Sequence, residues 1–196
     1  ELYFGIADSA SLQGFAMTVA LIGCMIGALL CGLLADRIGR VKLLIIASLI
    51  FLISSAAVGV SKGFMFFLAS RFVSGVGIGL ASGLSPMYIA EVAPTSVRGK
   101  LVSLNQLTIV FGILAAQITN WLIAEDIPSG MGTAEIAASW NGQMSWRWMF
   151  WAAMVPSALF FLFALFIPES PRWLALKGRD SSSLDILTKV GGRDYA

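Results

Sequence analysis

The sequence predicts an all-α membrane protein with five membrane-crossing helices, and three observations predict it. Hydrophobic residues make up 58% of the 196-residue chain, charged residues only 12%, and the mean hydropathy is +0.85. A soluble domain of this size exposes too much surface to be that apolar. The apolar residues fall into five stretches of about 20 residues, the length that a helix needs to cross the hydrocarbon core. Basic residues collect in alternate connections, as they do at the cytoplasmic ends of membrane helices. Helix is required because lipid offers no partner to unpaired backbone groups, and the alternation of a barrel strand is absent.

The first predicted span runs from about Ser11 to Ala35 and contains no charge, the second from Leu43 to Val60. The third, Phe64 to about Ala90, carries one charge in its interior, Arg71. The fourth covers Leu101 to Ala124 and the fifth Trp148 to Ile167. Cys24 and Cys31 lie in the first span and read as packing residues, because their spacing on one rigid helix is too long for a disulfide. Residues 125–146 form an outer loop rich in Gly, Ser, Ala and acid. Of Trp121, Trp140, Trp146, Trp148 and Trp151 around it, at least three fit an interfacial aromatic belt. Beyond the fifth span, Leu184, Ile186, Leu187 and Val190 give residues 176–196 a weak helical stripe, as in a helix lying on a surface.

One side holds Arg37, Arg40, Lys42, Arg98, Lys100, Arg172, Lys177, Arg179, Lys189 and Arg193. The other holds Lys62 in a short turn and Arg147 at the membrane edge, with Glu1, Asp8, Glu125, Asp126 and Glu135. The basic side is therefore expected in the cytoplasm, so that the first residues lie outside and the last inside. An odd number of crossings from an outer start points to one helix before Glu1. The expected organisation is an outer loop over 1–10 following that helix, a five-helix bundle over 11–167 and a cytoplasmic segment over 168–196.

Several motifs carry chemistry. The turn Gly32-Leu33-Leu34-Ala35-Asp36-Arg37-Ile38-Gly39-Arg40 joins the first two spans. Its glycines allow a sharp reversal and close approach of helices, and Asp36 and Arg40 are placed to bond neighbouring helix ends. Pro86-Met87-Tyr88-Ile89-Ala90-Glu91-Val92-Ala93-Pro94, followed by Arg98-Gly99, and Pro168-Glu169-Ser170-Pro171-Arg172-Trp173-Leu174 put further acid and base on the same edge. Together these charges can form an interhelical cluster that gates the inner mouth; as exposed loop charges they would contribute little. Gly75, Gly77, Gly79 and Gly83 follow no strand and lack dinucleotide spacing, so they read as a helix-packing face. Arg71 lies about seven residues, roughly 10 Å, inside its helix. A charge at that depth is costly and usually marks a functional position with a partner, the alternative being an arginine that snorkels to the outer interface; no acid in the five spans lies at comparable depth. On the fourth span, Gln106, Ile113, Gln117 and Asn120 fall within about 60° of one another. Amides on one face either join helices or line a polar cavity, and they suit sugars because each offers both donor and acceptor.

In order, GLLADRIGR, RFVSGVGIG, PMYIAEVAPTSVRGKL, NQLTIVFGIL and PESPRWL resemble the signature of the sugar porter family of the major facilitator superfamily. The resemblance runs from about residue 11 to 176 and matches helices two to six of the family's twelve, in the N-terminal helical bundle; bacterial xylose/proton symporters and glucose facilitators are similar. It implies alternating access, with a hexose, pentose or polyol held between two six-helix halves. Transporters of this superfamily are a standing illustration of repeat-built folds, so that architecture comes with the resemblance. The resemblance places Gln106 at the sugar, with Ile109 and Ile113 beside it and Gln117 further out. Ile113 is similar to the facilitator pattern, since some bacterial symporters carry glutamine there. Arg71 matches an arginine that, in proton symporters, faces an acid on the first helix. The cytoplasmic gate would comprise Gly32, Asp36, Arg37, Gly39, Arg40, Glu91, Arg98, Glu169 and Arg172. Val41 departs from the family, which often has a basic residue there; Lys42 beside it is the candidate substitute.

The expected activity is sugar transport across a cell membrane, bacterial inner membrane or plasma membrane, with partners limited to sugar, lipid, protons in the symport case, and the first helix and C-terminal half. Passive facilitation and a non-transporting sugar sensor of the same fold are the alternatives. With no histidine, no nucleophile–base pair and no metal-ligand cluster, the sequence is not that of an enzyme, and it calls for no cofactor, metal or nucleic acid.

Overall fold

The computed structural model describes residues 2–6, 9–128 and 130–192. Glu1, Asp8 and Arg193, used above to assign the two sides, lie outside the described residues. Five segments are long and apolar enough to cross a membrane: Ala10–Ile38, Arg40–Val60, Phe64–Val92, Thr95–Ile123 and Asn141–Ala164. The first four are single helices, α1 to α4. The fifth begins with a π-helical turn, Asn141–Ser145, and continues as α6 (Trp146–Ala152) and α7 (Met154–Ala164). A 3-10 turn, Leu2–Phe4, precedes α1, and a short helix, α5 (Thr133–Ala138), stands in the connection between α4 and the fifth span. Helices α8 (Pro171–Leu176) and α9 (Asp180–Gly191) follow the fifth span.

All five predicted spans are present, but their ends differ because charged residues belong to the helices. One residue, Gly39 at φ +107°, separates α1 from α2, so Arg37 ends one helix and Arg40 and Lys42 begin the next. Pro94 precedes α4, which starts six residues before the expected Leu101 and carries Arg98 and Lys100 in its first turns. The fifth span starts at Asn141 rather than Trp148. That moves Arg147 from the membrane edge, where the sequence put it, into the protein, where it is 8% exposed. Its guanidinium donates to the Gly59 carbonyl at the end of α2 (2.6 Å), where the helix leaves carbonyls open, and to the Gln143 carbonyl (3.2 Å). The tryptophans divide accordingly: Trp121, Trp140 and Trp148 are exposed, as a belt requires, whereas Trp146 and Trp151 turn inward.

Helices α1 and α3 run parallel in close contact. A Cβ at Gly23 or Gly27 would meet the carbonyl oxygen of Phe72 or Val76 at 2.2 or 2.3 Å. A Cβ at Gly75 or Gly79 would meet that of Ala20 or Cys24 at 2.1 Å. Only glycine fits at these four places, because backbone faces backbone. The packing face expected from the glycine spacing is thus real and reciprocal. On the other side of α3, Gly77 faces Ala47 and Phe51 of α2. Cys31, Ala35, Leu43, Leu44, Ala47, Leu80 and Leu84 form the core where α1, α2 and α3 meet. Helix α4 stands apart: none of its 29 residues is buried, and Asn105 reaches Ser85 of α3 at 2.9 Å. At the far end, α9 folds against α8 through Ser183, whose hydroxyl donates to the Pro171 carbonyl at 2.8 Å. Ile186 and Leu187 of its apolar stripe are half-buried, while Leu184 and Val190 are exposed.

The contact predicts a sharp contrast between glycines. Gly79→Ala forces α1 and α3 apart and is expected to cost about 1–3 kcal/mol of stability. Gly112→Ala on α4, with open space around it, is expected to be neutral or slightly stabilising. Thermal unfolding of the purified variants in detergent checks both.

Candidate functional site

Three groups of residues are brought into place by this packing. The first lies at the basic end of the bundle. The one-residue turn at Gly39 leaves the amides of Arg40 and Val41 pointing out of the start of α2, where a helix attracts negative charge. Glu169 supplies it: its Oε1 accepts from the amides of Arg40 (2.9 Å), Val41 (3.0 Å) and Ser170 (3.0 Å). Its Oε2 lies over Gly39, where a Cβ would come within 2.5 Å of it. Gly39 is therefore required twice, by its φ and by the carboxylate above it.

Arg40 points the other way. Its Nη2 pairs with Glu91 Oε1 and Asp36 Oδ1, both at 2.9 Å, and its Nη1 donates to the Ala35 carbonyl at 3.0 Å. The Glu91 side chain is only 7% exposed and takes a further bond from the Ser170 hydroxyl, whereas the Asp36 side chain is 69% exposed. Trp173 Nε1 donates to the Asp36 carbonyl (3.1 Å), and the Tyr88 hydroxyl to the Pro168 carbonyl (2.8 Å). Four helices, α1, α2, α3 and α8, are thus laced together by one buried ion pair and a carboxylate cap.

The expected cluster is present at Asp36, Gly39, Arg40, Glu91 and Glu169, and it does not extend to the other residues assigned to it. Arg98 turns back to the Ala93 carbonyl (3.3 Å), and Arg37 and Arg172 are exposed; none of the three forms an ion pair among the described residues. Gly32 has open space around it, so the close approach expected of that motif's glycines occurs at Gly39 alone. Lys42 is exposed while Val41 is 6% exposed, so the lysine does not occupy the place of its neighbour. Ser170 and Tyr88, which the sequence reading gave no role, stand inside two of its quoted motifs; only the fold shows that they join them.

The second group surrounds Arg71. Its guanidinium carbon lies 5.3 Å from the Phe150 ring centroid and 5.9 Å from that of Phe67. Among the described residues no carboxylate is within ion-pair distance of it, and its Nε has no hydrogen-bond partner. It lines a cavity of about 450 Å³ with Gln13, Tyr3, Phe4, Asn141 and Trp146.

The third group is the amide face of α4. Gln106, Ile109, Ile113 and Gln117 are all exposed on it, and Asn120 is half-buried near its end. The amide that joins helices is instead Asn105, one residue from Gln106, through its bond to Ser85. Adjacent amides thus do different work, which periodicity alone does not separate.

A bundle of apolar helices with a charge cluster at one end and an uncommitted polar face inside its span defines a multi-pass membrane protein of transporter type. A family model described as sugar (and other) transporter matches residues 5–196. The chain is 42% identical over 184 residues to a glucose transport protein of Synechocystis, covering 93% of this chain and 38% of that protein. It is 40% identical over 211 residues to the D-xylose-proton symporter of Escherichia coli K12, covering 97% of this chain and 41% of the relative. An arabinose-proton symporter of Bacillus subtilis is 39% identical, over 96% of this chain and 39% of its own length. Among solved structures, the proton:xylose symporter XylE bound to 6-bromo-6-deoxy-D-glucose superposes with a TM-score of 0.85 at 38% identity. That match covers 94% of this chain and 41% of XylE. The chain belongs to the sugar porter family of the major facilitator superfamily, a family of transport proteins rather than enzymes. It spans about two fifths of the length of these relatives.

The geometry separates the two carboxylates that pair with Arg40. Glu91→Ala leaves the buried guanidinium with only the exposed Asp36 carboxylate and the Ala35 carbonyl, and is expected to cost about 2–3 kcal/mol. Asp36→Ala, on the exposed side, is expected to cost about 1 kcal/mol or less. Chemical unfolding of the two variants measures the difference.

Proposed function

We propose that the chain is part of a twelve-helix sugar transporter, supplying helices two to six, that works by alternating access in a cell membrane. Its basic end faces the cytoplasm. The amide face of α4 is the observation that carries this reading. Gln106 and Gln117 expose hydrogen-bonding groups in an apolar span, and no side chain among the described residues bonds to them. Gln106 contacts the sugar directly, Ile109 and Ile113 shape the apolar side of the site, and Gln117 lines the route outward. The named relatives transport or co-transport glucose, xylose and arabinose, which supports a monosaccharide as substrate.

At the basic end, Arg40, Glu91 and Glu169 hold the helix ends of this chain together. The exposed Asp36, Arg37 and Arg172, with the half-buried Arg98, meet the other half of the transporter when the inner mouth is shut. Making and breaking of these outer contacts, with the buried pair intact, accompanies opening. Arg71 is the coupling position, with its partner on a helix outside this chain.

The direct test is uptake of labelled monosaccharides by the full-length protein in liposomes. Gln106→Ala is expected to raise KM or lower sugar affinity about three- to tenfold, as loss of one or two neutral hydrogen bonds would; unchanged affinity would remove Gln106 from the site. Passive facilitation is the second reading, favoured by Ile113 on the substrate face. Symport predicts that collapsing the proton gradient abolishes accumulation against a sugar gradient, whereas facilitation predicts equilibration that is indifferent to it.

A further inference from the structure

The outer end of the bundle contains an aromatic cluster whose use the transport reading leaves open. Phe67 on α3 and Trp146 and Phe150 on α6 pack with centroids 6.0 to 6.5 Å apart, and Phe4 joins them at 5.0 Å from Phe67. Two guanidinium groups bound the cluster. Arg147 covers the ring faces of Trp146 (4.5 Å) and Tyr3 (4.7 Å). It is also anchored by the Gly59 and Gln143 carbonyls. Arg71 differs: its Nε has no hydrogen-bond partner, and no carboxylate pairs with it among the described residues. The two rings, one on its own helix four residues earlier and one on α6, are its identified polar-type contacts. A ring face attracts a cation through its quadrupole, and the attraction grows when water is excluded. Arg71 lies inside an apolar span with the two rings on one side, so its guanidinium meets solvent only where it borders the cavity.

We propose that Phe67 and Phe150 are positioning residues that seat the Arg71 guanidinium on their ring faces and hold it at the edge of the outer cavity. The proposal rests on the reading of Arg71 as the coupling position. The two rings act differently. Phe67 shares α3 with Arg71 and moves with it. Phe150 belongs to α6, so its distance from Arg71 depends on how α3 and the fifth span sit against each other. A charge held by faces rather than by a carboxylate keeps its hydrogen-bonding groups free for an incoming partner. It also keeps a defined direction when that partner is protonated or withdrawn, so the seat is expected to affect the pH dependence of transport.

Fluorination tests this without changing shape, because each fluorine on a phenyl ring weakens its hold on a cation. In the full-length transporter, Phe150 is replaced by mono-, di- and trifluorophenylalanine, and proton-driven sugar uptake is measured against pH. The expected result is a stepwise fall with fluorine number, several-fold by the trifluoro ring, with a shift in the pH profile; Phe150→Leu falls at least as far. A flat response across the fluorine series, in variants that fold and bind sugar normally, overturns the seat. Arg71→Ala separates the two claims. Loss of coupled uptake in Arg71→Ala with a flat series refutes the seat and leaves the coupling reading standing. Unchanged coupled uptake in Arg71→Ala refutes the coupling reading and the seat with it.

Discussion

Backbone resting on backbone between α1 and α3 is the constraint from which the rest of the arrangement follows. Inside a bilayer, apolar side chains gain nothing by leaving lipid for one another, so helices associate through close packing and polar contacts. Gly23 and Gly27 on one helix, and Gly75 and Gly79 on the other, bring four carbonyl oxygens within reach of the opposing Cα atoms, the geometry of weak Cα–H···O bonds. Because the helices are parallel, this contact also fixes their relative height. It sets Arg71, one turn before Gly75, beside Gln13 of α1 in the cavity at the end away from the charge cluster. It sets Glu91, at the end of α3, level with the turn at Gly39.

The charge cluster closes the same block from its basic end. A buried ion pair is a poor source of net stability by itself, since desolvation offsets much of the attraction. Here the two Arg40 Nη groups meet two carboxylates and a carbonyl, and Glu91 takes a serine hydroxyl as well. The gain is in specificity: only one relative placement of α1, α2, α3 and α8 satisfies all these groups. Glu169 adds a charge where the amides of α2 require one. The block is therefore tied at mid-height by glycine contacts and at its end by charge, while α4, with no buried residue, remains outside both ties.

Much of this was legible in the sequence, and the rest was not for identifiable reasons. Span number and family could be read because apolar length and motif order are local. The glycines of α3 announced a packing face, although nothing identified Gly23 and Gly27 as its counterpart. Helix ends were misplaced at Arg40, Thr95 and Asn141 because charges look like loops until the fold supplies partners. Arg147 is the clearest case: hydropathy puts a cation at the edge, and only the carbonyl at Gly59 explains why it is inside. The amide face at Gln106 and Gln117 was legible as a periodicity. That Asn105, next to Gln106, is the residue that binds another helix depends on where Ser85 lies. Arg71 was recognisable by depth, whereas its aromatic surroundings depend on Phe150, which is distant in the chain.

If α1 and α3 are locked as described, the block they form moves as one body in the proposed transport cycle. Spin labels at Leu33 and Met65, exposed positions near opposite ends of the pair, measure this directly in the full-length protein by pulsed electron resonance with and without sugar. The account predicts one distance distribution that sugar leaves unchanged. A sugar-dependent shift of several ångströms between these labels would contradict it.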